Sequence, residues 1–189
     1  MEFANRVINL KAEGAYAMLA RAQELEAHGR EVLHLEIGQP DFPTFPHISE
    51  RGMQAIRDGQ TRYNPPAGIP PLRQAIAADA GIRRGMQFSP AQVVVGPGAK
   101  PGLFFPTLAL VEPGDEVIYP DPGFPTYAAM IEIAGGKPAP VPLVEDNNFS
   151  FDLQAFDERL SKRTKMIILN SPANPTGGVI PLADLEHIA

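Results

Sequence analysis

Apolar residues recur along this chain with two different periods, and the change between them divides it. Ala15, Met18, Leu19, Ala22 and Leu25 form one stripe among Arg and Glu residues, which predicts a helix over residues 12–27 ended by His28-Gly29. Residues 33–37 alternate apolar and polar, the two-residue period of a short strand. A short helix is predicted over residues 49–58. A longer one follows over residues 72–84, with Leu72, Ala75, Ile76 and Ala80 on one face. From residue 92 the character changes. Gln92-Val93-Val94-Val95 is β-branched and apolar, as a buried parallel strand is. The pattern then predicts a helix over about 99–111, a strand at 116–119, a helix at 126–134 and an extended segment at 137–142. It ends with a helix at 153–160, a buried strand at 166–169 and the start of a helix at 182–189.

Strand and helix alternating in this way imply an α/β layer structure with a mostly parallel sheet. In such sheets ligands sit at the carboxyl ends of the strands. The Gly-, Pro- and Asn-rich loops after Val95, Tyr119 and Leu169 all lie at such ends.

Composition narrows the function classes. Gly and Pro number 17 and 21 among 189 residues, short of the roughly 25–30% that marks low-complexity chains. They fall between apolar runs, so they read as loop punctuation. The net charge is -6 and no basic stripe is visible, which argues against nucleic acid and anionic membrane as partners. Cysteine is absent, so disulfides and thiolate metal sites are excluded, and the expected location is the reducing cytoplasm. The four histidines show no metal-ligand spacing. No leader-like segment opens the chain, and no apolar run nears the roughly 18–20 residues that span a bilayer.

Three loops offer chemistry. Gly96-Pro97-Gly98-Ala99-Lys100 joins a predicted strand to a predicted helix. Backbone N–H groups at such a helix start can cradle a phosphate, and Lys100 adds charge; an ordinary tight turn has the same composition. Phe124, held between Gly123 and Pro125, can stack on a planar ligand or simply fill the core. Residues 170–178 leave a buried strand with two prolines, two asparagines and two glycines. Asn174 precedes proline, which biases it to an extended backbone. Its amide can then point at a ligand, or it can close an Asx turn.

In chain order, these segments resemble the class I aminotransferases of pyridoxal-phosphate (PLP) fold type I. Asn174-Pro175-Thr176-Gly177 matches the best-known motif of that family. Gly38-Gln39-Pro40-Asp41-Phe42 is similar to an early family segment, and residues 63–73, from Tyr63 to Leu72-Arg73, to a later one. Residues 93–103 are similar to the strand and phosphate loop, and Asp115-Glu116-Val117 with residues 122–127 to a further segment. Together these motifs cover the chain from about residue 5 to residue 189.

The resemblance implies a three-layer large domain with a mostly parallel sheet, incomplete here, over residues 46–189. It implies an N-terminal segment of a small domain over residues 1–45. It implies PLP as cofactor, an amino acid and a 2-oxo acid as substrates, and a homodimer. Asn174 would hydrogen-bond the phenolic oxygen of the cofactor ring and Phe124 would stack on that ring. Gly98, Ala99 and Lys100 would hold the phosphate. Tyr63 would reach the phosphate of the other subunit's cofactor, Gly38 would lie beside the substrate carboxylate, and Tyr127 would be structural or stand just behind the residues that touch the cofactor. The family's Schiff-base lysine follows the Asn-Pro-Thr-Gly segment by a long interval. Lys11, Lys100, Lys137, Lys162 and Lys165 lie outside its motif. No catalytic residue is therefore expected within the chain, and the lysine is expected beyond Ala189. The chain alone is expected to be an inactive fragment of an aminotransferase. A lyase or synthase of the same fold, and a non-catalytic remnant, are the alternatives.

Overall fold

A computed structural model describes residues 2–8, 10 and 14–189. The helices are α1 (Asn5–Ile8), α2 (Gly14–Ala27), α3 (Pro46–Arg57), α4 (Pro70–Arg84), α5 (Lys100–Leu110), α6 (Thr126–Ile133), α7 (Leu153–Arg159) and α8 (Leu182–Ile188). The strands are β1 (Glu116–Asp121), β2 (Lys137–Val144), β3 (Ser150–Phe151) and β4 (Thr164–Ile167). They form one sheet in the order β3-β2-β1-β4, with β1 parallel to β2 and β4, and β3 antiparallel to β2. Contacts divide the chain into two compact units: Met18–Gly98, and Ala99–Ala189 together with the N-terminal residues through Ala17.

The sheet unit is built on the alternation of β1. Val117 and Ile118 are both fully buried, and consecutive strand residues point to opposite faces. Val117 therefore joins Val111, Tyr127, Met130, Ile131 and Ile168, the layer made with α5 and α6. Ile118 joins Val141, Phe151, Phe156 and Ile180, against which Leu153 of α7 and Leu185 and Ile188 of α8 pack. This is the expected three-layer α/β architecture with a mostly parallel sheet. Strand β2 carries prolines at 138, 140 and 142, which a ladder normally excludes. Lys137 donates its N–H to Asp115. The two-residue period then turns Ala139 and Val141 toward β1, and the nitrogens of the three prolines toward the side where β3 pairs only Leu143 and Val144.

Two predicted strands are absent. Residues 33–37 form no strand, and Leu33 and Leu35 are 87% and 94% exposed. Residues 93–95 likewise make no ladder, and Val94 is exposed. No strand lies among the described residues of Met18–Gly98. A β-prone sequence without a neighbouring strand has no partner for its backbone groups. Other groups serve the second segment: Arg73 donates from Nε to the Val93 carbonyl at 2.9 Å and from Nη2 to the Pro90 carbonyl at 2.6 Å. The Val95 N–H donates to Ala67.

Glu116, at the amino end of β1, is nearly buried. Its carboxylate accepts from Ser161 Oγ at 2.6 Å and from Arg163 Nε at 2.9 Å, with Lys137 Nζ at 3.8 Å. The Ser161 and Arg163 hydrogen bonds hold this carboxyl below the usual glutamate range, and the Arg163 and Lys137 charges add to the effect. A carboxyl lowered in the folded state contributes stability above its unfolded value, and that stability is lost as pH falls through the folded value. Urea midpoints should therefore drop on acidification, and Glu116→Gln should lower the midpoint at neutral pH and flatten that dependence. An unchanged pH slope in the variant would assign the effect to other carboxyls.

Candidate functional site

Because β1 and β4 are parallel neighbours, their carboxyl ends lie at one edge of the sheet. The chain leaves β1 through Pro122-Gly123-Phe124-Pro125 and enters α6. It leaves β4 through Ile168 into the loop of residues 169–179. The Asp121–Pro122, Ser171–Pro172 and Asn174–Pro175 bonds are cis.

Phe124 is half-buried. Its ring meets Tyr127 edge-on, with centroids 5.9 Å apart and planes at 78°. The Lys100 ammonium lies 5.5 Å from the Phe124 centroid, a cation–π distance. Lys100 opens α5, whose N-cap, Ala99, supplies no side-chain cap and whose first turn contains Pro101. The start of α5 therefore presents its dipole without a capping side chain, and that dipole favours an anion.

The second loop is braced from within. Ala173 N–H donates to Gly178 O at 2.8 Å and Gly177 N–H to Ala173 O at 2.7 Å, with Gly177 at φ 73. Ser171 Oγ accepts from Ile180 N–H at 3.0 Å. The Asn170 amide, oriented by its partners, accepts from Asn174 N–H at 2.9 Å and donates to the Pro172 carbonyl at 3.3 Å. Asn174 itself is exposed, so its backbone is fixed while its side chain faces outward from the core.

Tyr127 is 3% exposed. Burial pushes its hydroxyl up, and a side-chain hydrogen bond with Asn170 draws it partly back. Tyr119, 6.3 Å from Tyr127 between ring centroids, is raised by burial and by the nearby Asp121 and Glu132 charges.

Lys100 and Phe124 thus meet within the sheet unit, which also contains Asn174. Gly38, Tyr63 and Gly98 belong to the other unit. A Cβ built on Gly38 meets no atom within 4 Å, and the Tyr63 side chain is fully exposed. Gly98 has φ 78, and a Cβ built there also meets nothing, so its backbone angle and not crowding calls for glycine. The sequence reading left Asn170 without a role. Its position four residues before Asn174, at the end of a strand, was the available signal, since Asn readily bonds nearby backbone.

Polar loops at the carboxyl edge of a mostly parallel, three-layer sheet place the chain among α/β proteins, whose ligands commonly sit at that edge. The chain matches Aminotransferase class I and II over residues 30–189. It is 41% identical over 186 residues to a probable aspartate/prephenate aminotransferase of Aquifex aeolicus, covering 98% of this chain and 47% of that protein. With an aspartate aminotransferase of Geobacillus stearothermophilus it shares 36% identity over 188 residues, 100% of this chain and 48% of the relative. The Thermus thermophilus aspartate aminotransferase solved with maleate is similar at TM-score 0.94 and 36% identity, covering 100% of this chain and 49% of that one. An alanine aminotransferase from Pyrococcus furiosus is similar at TM-score 0.93 and 30% identity, covering 99% and 48%. The chain belongs to the class I and II aminotransferases, and it spans about half the length of the relatives it matches.

Proposed function

We propose that this chain supplies the N-terminal half of the cofactor site of a PLP-dependent aminotransferase, which moves an amino group from an amino acid to a 2-oxo acid. The observation that carries the reading is the meeting of Lys100, Phe124 and the braced Asn174 loop at one strand edge, in a chain of this family. The names of the relatives, aspartate aminotransferases among them, point to aspartate as the amino donor.

The residues present suit the group. The α5 start lacks a side-chain cap, which fits the phosphate, with Gly98, Ala99 and Lys100 as its holders. Phe124 offers a half-buried ring to a planar heterocycle. Asn174 exposes an amide that can donate to a phenolic oxygen. When bound, the cofactor supplies an electron sink for charge released at the substrate's Cα. The chain's residues bind and orient it: Lys100 brings positive charge to the phosphate, Phe124 sets the plane of the ring, and Asn174 favours the anionic form of the ring oxygen. The fully exposed Tyr63 is assigned to the partner subunit's cofactor in a cytoplasmic homodimer, and Gly38 to the substrate carboxylate. The division of the complete fold at residue 45 belongs to the same proposal. The lysine that takes the proton and holds the cofactor covalently is assigned to the half of the relatives' length that this chain does not cover.

Titrating PLP into the 189-residue chain, followed by absorbance, tests the reading. Asn174→Ala should weaken binding about tenfold or more, the worth of a hydrogen bond to a charged oxygen. Phe124→Ala should weaken it about fivefold, from lost stacking. The chain alone should show no turnover of aspartate with a 2-oxo acid. Equal affinity in both variants and the parent would overturn the assignment.

A further inference from the structure

The Asn174 loop closes on Gly178, and Gly178 rests on a turn from a different part of the sheet unit. Its carbonyl accepts the Ala173 N–H at 2.8 Å. A Cβ built on Gly178 overlaps the Asn148 carbonyl oxygen and comes within 2.8 Å of Phe149 Cβ. Backbone therefore packs directly on backbone, and a shift of the turn is passed to Gly178. The turn itself is not relaxed. Asn148 has φ 51 and Phe149 φ 56. Residues other than glycine enter that region at a cost, and they stay there only where their surroundings impose it.

Two groups impose it here. The Phe149 N–H donates to the Val144 carbonyl at 2.9 Å. Ser150, fully buried, donates from Oγ to Asp184 Oδ2 at 2.5 Å, and Asn147 Nδ2 lies 3.4 Å from the same oxygen. One carboxylate thus holds the residues on both sides of the positive-φ pair. An acidic residue in the first turn of a helix is ordinary, so the place of Asp184 in α8 does not single it out. Its partners do, because they flank the turn that carries Gly178.

We propose that Asp184 is a positioning residue: by holding the Asn148-Phe149 turn through Ser150 it supports Gly178, and through Gly178 the loop that presents the Asn174 amide. The proposal rests on the PLP reading for its ligand, but not for its mechanical content, which belongs to the chain itself. Removing the Ser150 hydroxyl would free the turn to leave its positive-φ conformation. Gly178 would lose its support, and the Asn174 loop would be held by its own bonds alone.

Amide hydrogen exchange in the isotopically labelled 189-residue chain tests the support without any cofactor, and PLP titration tests its consequence. Ser150→Ala and Asp184→Ala should each speed exchange at the Ala173 and Gly177 amides, which close the loop, by about three- to tenfold, as expected for losing one hydrogen bond. Amides in β1 and β2 should keep their protection. Ser150→Ala should also weaken PLP binding about three- to tenfold, yet have no further effect in the Asn174→Ala background, because it acts through that amide. Unchanged exchange at Ala173 and Gly177 with intact strands would overturn the proposal, even if Asn174→Ala still weakened PLP. Equal weakening of PLP by Ser150→Ala in both backgrounds would overturn it too, since the effect would then bypass Asn174. Faster exchange with no effect of Asn174→Ala or Phe124→Ala on PLP would keep the support and sink the cofactor reading instead. If Asp184→Ala lost its strand protection, Ser150→Ala alone would decide, since it removes the same bond by deleting one oxygen.

Discussion

Gly123→Ala should dislodge the loop that presents Phe124 while leaving the rest of the sheet in place. A Cβ built on Gly123 overlaps the Pro120 carbonyl oxygen and lies 3.3 Å from Tyr127 Cδ2. The first neighbour is backbone, so no side-chain rotation relieves the clash. Pro120 belongs to β1 and is in register with Val141 of β2, so moving it strains the ladder. The conflict is steric, because Gly123 is not among the glycines of positive φ. The easier motion is outward, by the loop that bears Phe124. Overpacking of this kind costs about 1–3 kcal/mol. Urea unfolding should show that loss, and PLP affinity corrected for the folded fraction should fall about fivefold, because the stacking of Phe124 is lost. Gly38→Ala is the contrast, since its Cβ meets open space; it should leave urea stability near the parent's. Parent-like stability and affinity in Gly123→Ala would mean that the backbone of residues 120–123 yields freely and that Phe124 does not depend on it.

The sheet unit was legible because its signals are local and its partners lie in the same chain. Val117-Ile118 announces a strand buried on both faces, and β1, β2 and β4 find one another. Residues 33–37 and 93–95 carry the same kind of pattern and form no strand. Pattern reports what a residue tolerates, whereas a ladder needs a second strand. Strand β3 went unread because it has two residues, Ser150 and Phe151. It also follows a turn in which Asn148 and Phe149 both adopt positive φ, a conformation that phenylalanine rarely signals. In the candidate site, the loop positions of Phe124 and Asn174 were readable from the prolines and glycines that frame them. The approach of Lys100 to the Phe124 ring was not, because it depends on the start of α5 and the end of β1 becoming neighbours, a tertiary fact that neither loop encodes alone.

Phe156→Ala is expected to cost the most stability. Phe156 of α7 is 2% exposed and meets Phe151 edge-on, with centroids 6.5 Å apart. Both belong to the layer that holds Ile118 of β1, Val141 of β2 and Ile180. Removing a buried phenylalanine ring costs about 3–5 kcal/mol, through lost transfer energy and the cavity left behind. Folded domains have about 5–15 kcal/mol in all, and this chain also exposes Leu33, Leu35, Ile82 and Val94 without cover. The variant should therefore unfold at much lower urea, with an unchanged dependence on denaturant. A loss below about 1 kcal/mol would mean that α7 collapses onto the vacancy and that this layer is not tightly packed. The effect should also reach the site by one route. Ile180 shares the layer with Phe156, and its N–H is held by Ser171 Oγ at the near end of the Asn174 loop. Exchange at Asn174 should therefore quicken in Phe156→Ala, whereas Phe124, packed on the opposite layer, should keep its environment. If both loops loosen equally, the two layers unfold as one unit and the core supports the site only as a whole. If Asn174 alone loosens, the layer behind β1 sets the stiffness of one arm of the site independently of the other.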